Sequence, residues 1–168
     1  MEIKNILFDL GGVILTKDWN TKSGALEKDF SKEFSVSEEK AMCGFVAMWP
    51  DFQRGLITEE EFWKGFLKIA GADMDVEKAM EIWRRNQKPV EGMLELLSQL
   101  KKNYKLGSIS VISKEWFDFK TGKFNLNYYF DMIATSGYTG ISKPDKSIYE
   151  LVLRNMKIRP EETIYIDD

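Results

Sequence analysis

Four places along the chain carry side chains suited to chemistry on a phosphoryl group: Asp9, Ser110, Lys143 and the pair Asp167/Asp168. A carboxylate such as Asp9 can attack phosphorus and form an aspartyl-phosphate that water later cleaves. A hydroxyl and an ammonium group can bind the non-bridging oxygens, and backbone amides just past Asp9, at Gly11 and Gly12, can do the same. Asp9 with Asp168 offers the hard oxygen ligands that Mg²⁺ takes, usually few carboxylates with the remaining positions filled by water. Alternatives stand beside each choice. Ser108 and Ser113 flank Ser110, so the register of the hydroxyl is open by a residue or two. Asp167 competes with Asp168 as the metal ligand. A strand-end Asp is commonly a turn residue, and a lysine before a proline is commonly solvated. The chain contains no histidine, which excludes Ser-His-Asp and Cys-His catalysis and most zinc sites.

These residues need a scaffold that brings them together. Asp9 follows the apolar run Ile6-Leu7-Phe8 and precedes Gly11-Gly12. A run that short and apolar reads as a strand covered on both faces, with the glycines freeing a sharp turn beyond it. From Pro89 onward, strands and helices alternate. An amphipathic helix over 91–103 is followed by a strand over 106–112, and Ser113 caps a further helix. A strand over 132–135, a glycine-punctuated loop over 136–143, a helix opened by Pro144 with Ile148, Val152 and Met156 inward, and a strand over 163–166 complete the rhythm. Alternation of this kind implies a parallel sheet. Ligands bind beyond the carboxyl ends of such strands, and each strand or its following loop carries one of Asp9, Ser110, Lys143 and Asp167/Asp168 near that end.

Between Lys17 and about Lys88 the pattern is helical instead. Ser35 with Glu38 and Thr58 with Glu61 have capping-box spacing, and Asp75 can cap a third helix. Trp49-Pro50-Asp51-Phe52 breaks the first of these runs. The aromatics Trp49, Phe52, Phe62, Trp63, Phe66 and Trp83 read as the core of a small helical module, not as a ligand cage.

Composition narrows the partners. Of 168 residues, 43% are hydrophobic and 30% charged, which is the balance of a soluble globular chain. The formal net charge is −3 and no basic run stands out, so nucleic acid is a poor partner. No apolar stretch is long enough to span a membrane, and the first residues lack a signal-peptide pattern. The single cysteine, Cys43, rules out an internal disulfide and fits a reducing cytoplasm.

Taken together, these segments resemble the haloacid dehalogenase-like (HAD) hydrolase superfamily nearly from end to end. Phe8-Asp9-Leu10-Gly11-Gly12-Val13-Ile14 is similar to its first motif, and Ser110 in Ile109-Ser110-Val111-Ile112 to its second. Ser136-Gly137 through Lys143-Pro144-Asp145 resembles the third motif and Ile164-Tyr165-Ile166-Asp167-Asp168 the start of the fourth. Arg54-Gly55-Leu56-Ile57-Thr58 looks like the family's cap segment. The resemblance implies an α/β, Rossmann-like three-layer core over residues 1–16 and 88–168, with an all-helical mobile cap over 17–87. It implies Asp9 as nucleophile, Ser110 and Lys143 as phosphate binders, and Mg²⁺ on Asp9, the Gly11 carbonyl and Asp168. The implied activity is a cytoplasmic Mg²⁺-dependent phosphatase of a small phosphorylated metabolite.

Two departures qualify this. The family's phosphatases usually carry a second Asp two residues after the nucleophile as general acid and base, where this chain has Gly11. The dehalogenase branch also lacks that Asp, but its first motif differs. In addition, the family core normally continues past the fourth motif through a helix and a final strand, which are missing here. The expectation is therefore an exposed sheet edge at 163–166 that invites self-association. The alternative function is a catalytically weak binding or interaction protein on the same fold.

Overall fold

A computed structural model describes residues 2–17 and 31–168. Four short strands, β1 (Asn5–Phe8), β2 (Lys105–Ser110), β3 (Met132–Thr135) and β4 (Thr163–Ile166), form one sheet in the order β3-β2-β1-β4, and every pairing is parallel. β1 is fully buried, as its unbroken apolar run requires. It lies between the strand that ends in Ser110 and the strand that leads to Asp167 and Asp168, as the motif order predicts.

Alternate residues of the sheet feed two apolar layers. Ile6, Phe8, Leu10 and Leu106 pack against Leu97 of helix α4 (Met93–Leu100) and against Leu126 and Phe130. Leu7, Ile109 and Ala134 face Ile148, Val152 and Met156 of helix α8 (Lys146–Met156). The result is a three-layer α/β sandwich, the solution a two-faced apolar sheet requires.

Among the described residues, helices α1 (Glu38–Phe52), α2 (Glu59–Ala70) and α3 (Val76–Asn86) precede α4. They share an aromatic cluster of their own that includes Phe52, Phe62, Trp63, Phe66 and Trp83. The α/β part contributes Ile112, just after β2, and Trp116 of helix α5 (Lys114–Phe124) to the same cluster. Trp83 stacks on Trp116 with centroids 4.2 Å apart. Each such ring removed from water is worth on the order of 1.5–3 kcal/mol, so the two parts of the molecule are joined by apolar contact.

Several local signals act as the sequence predicts. Thr58 and Glu61 form the reciprocal capping box that starts α2, and Ser113 Oγ accepts from the Trp116 amide to start α5. Four details differ. Ser37, not Ser35, caps α1, its Oγ accepting from the Lys40 amide, whereas Ser35 sits at positive φ in the turn before it. Pro50 does not end α1, which runs to Phe52, because a proline in the last turn forfeits a single intrahelical bond. Asp75 stands at the start of α3, but its side chain makes no capping bond. Pro144 precedes α8 instead of opening it, and Asp145 is the cap, its carboxylate accepting from the Ser147 amide. The segment after β3 is also more ordered than a loop. It forms the short helix α7 (Ser136–Thr139), which follows α6 (Leu126–Tyr129) in chain order. Ser136 Oγ accepts from the Ile112 amide, and a Cβ on Gly137 would lie 2.3 Å from the Lys114 nitrogen. That glycine lets α7 pack directly on the exit of β2.

Candidate active site

The turn after β1 is built by its own backbone. The amides of Ile14 and Leu15 donate to the Leu10 carbonyl, and the Gly12 amide donates to the Leu15 carbonyl at 2.7 Å. Gly12 has φ +85, and a Cβ there would fall 2.6 Å from Lys17 and 2.7 Å from Asp168. Its role is to let the turn pass beneath those side chains. Its amide donates within the turn, to the Leu15 carbonyl. Gly11 does border the pocket above Asp9.

That pocket, about 250 Å³, is bordered by Asp9, Gly11, Lys17, Ser110, Lys143 and Asp168. Asp9, Ser110, Lys143 and Asp168 therefore meet at one place, with Asp167 beside them on Lys143. Asp9 is buried, and its Oδ1 accepts from the Leu10 amide at 2.7 Å while its Oδ2 lies 3.2 Å from Lys143 Nζ. Lys143 also reaches both carboxylate oxygens of Asp167, at 3.1 and 3.3 Å, and donates to the Tyr165 hydroxyl at 2.9 Å. Lys17 pairs with Asp168. Ser110 is buried at the end of β2 on the same pocket.

The charges are unevenly matched. Burial pushes the Asp9 carboxyl above the usual range, because desolvation disfavours its ionised form; Lys143 offsets this only in part. Asp167 is held below the usual range. Burial raises it, but the hydrogen bond and charge of Lys143, together with the Tyr165 hydroxyl, outweigh that effect. Burial first, and then the negative charges of Asp9 and Asp167, push Tyr165 far up, so its phenol keeps its proton and donates to the Ile109 carbonyl.

Carboxylate oxygens of Asp9, Asp167 and Asp168 lie within 4.8 Å of one another. Three converging carboxylates with two lysines among them fit a hard divalent cation such as Mg²⁺ better than a soft one.

Several contributors were not singled out from sequence. Tyr165 stands two residues before Asp167 and so projects from the same face of its strand; a tyrosine in an otherwise aliphatic strand is a signal that could have been used. Lys17 carries no such signal. Trp49, assigned to the helical core, does pack on Phe52 and Trp116, yet with Phe45 it also borders the pocket. Lys120 of α5 is buried and borders it as well.

Comparison with known proteins agrees with this arrangement. The chain is 25% identical over 173 residues to D-ribitol-5-phosphate phosphatase of Bacteroides thetaiotaomicron, covering 99% of this chain and 83% of that protein. It is 31% identical over 127 residues to flavin mononucleotide hydrolase 1 of Arabidopsis thaliana. That match covers 75% of this chain but only 51% of the plant protein, so the chain spans about half the length of that relative. A HAD-family enzyme from Bacteroides thetaiotaomicron, solved as a magnesium complex, superposes with a TM-score of 0.79 at 27% identity, over 100% of this chain and 85% of that one. The haloacid dehalogenase-like hydrolase family matches residues 3–168, a span that includes every strand end described above. With a parallel sheet whose strand ends gather a buried carboxylate, a hydroxyl, a lysine and a pair of acids, the chain belongs to the haloacid dehalogenase-like hydrolase family.

Proposed function

We propose that the protein is a Mg²⁺-dependent phosphatase of a small phosphorylated metabolite, acting through a phosphoenzyme on Asp9. The observation that carries this reading is the placement of the buried Asp9 carboxylate 3.2 Å from Lys143, on a pocket shared with Ser110 and Asp168. In the first step an Asp9 oxygen bonds to phosphorus as the bond to the leaving oxygen breaks. In the second, water attacks phosphorus, the bond to Asp9 breaks, and phosphate departs with Asp9 regenerated. Lys143 and the Ser110 hydroxyl hold the non-bridging oxygens throughout, where charge gathers in the transition state. Asp9, Asp168 and the Gly11 carbonyl would hold Mg²⁺, which supplies positive charge to the phosphoryl oxygens. Asp167 serves Lys143, to which both its oxygens are committed.

Helices α1 to α3 act as the cap over this pocket, with the core formed by residues 1–16 and 88–168. A cytoplasmic enzyme is consistent with one exposed, unpaired cysteine and, among the described residues, no helix long and apolar enough to cross a membrane. Self-association through the β4 edge, where Ile164 and Ile166 are exposed, is part of the same reading. Native mass spectrometry showing a monodisperse monomer would remove that part.

One observation favours a second reading. Gly11 offers no side chain to protonate a leaving group, so a catalytically weak binding protein on this fold stands as the alternative. The deciding experiment is release of phosphate from p-nitrophenyl phosphate with and without Mg²⁺, comparing the wild type with Asp9→Asn. Activity that needs both the metal and Asp9 supports the phosphatase. A wild-type rate equal to that of Asp9→Asn leaves the binding protein.

A further inference from the structure

We infer that the substrate is a one-ring aryl phosphate, whose phenolate departs unprotonated beside the aromatic side chains that α1 contributes to the pocket. The inference rests on the phosphatase reading above and adds the identity of the leaving group to it.

Three observations converge. The first is the make-up of the pocket wall opposite the strand ends. Phe45 and Trp49 stand one helical turn apart on α1, their rings nearly parallel at 19° with centroids 5.0 Å apart, and both border the pocket. Both are only half-buried, unlike Phe52 and Phe62 behind them. Leu10, Val111 and Ile112 continue the apolar lining. A flat apolar group gains from such a wall by area and by ring stacking. A polyol would bury hydroxyls against it without partners, which is costly.

The second is size. An apolar cavity of about 150 Å³ holds one benzene ring. The pocket volume of about 250 Å³ accommodates one ring with a phosphoryl group.

The third is the chemistry at Gly11. Its φ is not positive, and a Cβ there would meet nothing within 4 Å. Neither backbone strain nor crowding around a Cβ demands a glycine there, and the position supplies no acid. Among the described residues, the carboxylates on the pocket are Asp9 and Asp168. The first is assigned to attack and the second to the metal. The lysines are occupied as well: Lys143 by Asp9 and Asp167, Lys17 by Asp168, and Lys120 with its ammonium 5.7 Å above the Trp83 ring. A phenol has a pKa near 10, against about 15.7 for water, so a phenolate leaves without the proton that an alkoxide needs.

The steps balance. The Asp9 oxygen–phosphorus bond forms as the phosphorus–phenolate bond breaks, and the phenolate takes a proton from solvent after release. Water then opens the acyl phosphate, and its proton leaves with phosphate.

The test compares kcat/KM for phenyl phosphate, acetyl phosphate and glycerol 1-phosphate in the presence of Mg²⁺. Acetyl phosphate has a good leaving group but no ring, so it separates chemistry from ring recognition. Phenyl phosphate is expected to exceed glycerol 1-phosphate by about 100-fold or more, the usual scale of a missing general acid. Trp49→Ala should lower the phenyl-to-acetyl ratio about tenfold, the effect appearing in KM, and Trp49→Phe should retain most of it. Because each ratio is taken within one folded enzyme, partial loss of stability does not mimic the result. Gly11→Asp should raise the rate with glycerol 1-phosphate more than that with phenyl phosphate. Equal use of the alkyl and aryl esters, or an unchanged ratio in Trp49→Ala, overturns the inference while Asp9-dependent cleavage of acetyl phosphate leaves the phosphatase reading standing. Failure to cleave either activated substrate overturns both.

Discussion

Two buried carboxylates, one in the helical cluster and one at the strand ends, occupy opposite kinds of environment. Glu59 of α2 is buried but matched on all sides. Its Oε1 accepts from the indole nitrogens of Trp63 and Trp116, at 3.4 and 3.1 Å, and its Oε2 from Arg84 at 2.7 Å. Asp9 shares a single lysine with Asp167 and lies among like charges. The first arrangement holds three elements in register, because each donor has one place to go. The second is crowded with negative charge that a cation and a phosphoryl group would relieve. A satisfied buried charge serves the packing, and an over-supplied cluster of them serves the chemistry.

The comparison can be broken most directly at Asp9. Asp9→Asn should lower phosphate release on the order of 10³-fold or more without lowering the thermal midpoint at neutral pH. The sign follows from its raised pKa: above that pKa the ionised form costs folding stability, so removing the charge removes a cost. A large fall in the midpoint would show that Asp9 is structural after all. Trp116→Ala tests the other region. It deletes the ring that stacks on Trp83 and borders Phe52 and Phe62, and should cost about 3–5 kcal/mol in denaturant titration. A cost below about 1 kcal/mol would mean that the helices are not held to the core through this cluster. Glu59→Gln keeps the shape but turns a donor towards donors, and should cost about 1–3 kcal/mol with little change in KM. Removal of divalent metal by a chelator should abolish turnover and leave the stability of the Glu59 region intact, as read by tryptophan fluorescence during unfolding. The smallest effect lies at neither region. Glu162 pairs with Arg159 and Lys4, whose hydrogen bonds hold its carboxyl down to about 2. Its folded pKa is below the unfolded value, so its contribution is present above about 4.5 and is lost as pH falls towards 2. The difference in thermal midpoint between wild type and Glu162→Gln should therefore shrink across that window; a difference constant with pH would contradict the assignment.

Much of the site was legible in the sequence. Asp9, Ser110, Lys143 and Asp168 each follow a recognisable strand, and parallel strands deliver their carboxyl ends to one edge, so order along the chain predicts proximity in space. Gly12 was legible as a turn residue but not as one whose amide donates within the turn, since that depends on where the Leu15 carbonyl lies. Ser35 and Ser37 could each start α1 by spacing. The choice fell to the one whose backbone is extended, a matter of the preceding turn.

What the sequence determined by itself is the α/β alternation and the helical character of the segment before α4, because these follow from periodicity, glycine placement and capping, which act over a few residues. Only the tertiary structure decided which side chains share Lys143, that Tyr165 reaches the site, and that Trp49 faces the pocket as well as the core. Those outcomes depend on contacts between residues as far apart as Trp49 and Trp116 or Lys143 and Asp9. No local pattern encodes such distances; they are fixed when the apolar layers pack and the remaining polar groups must find partners at the strand ends.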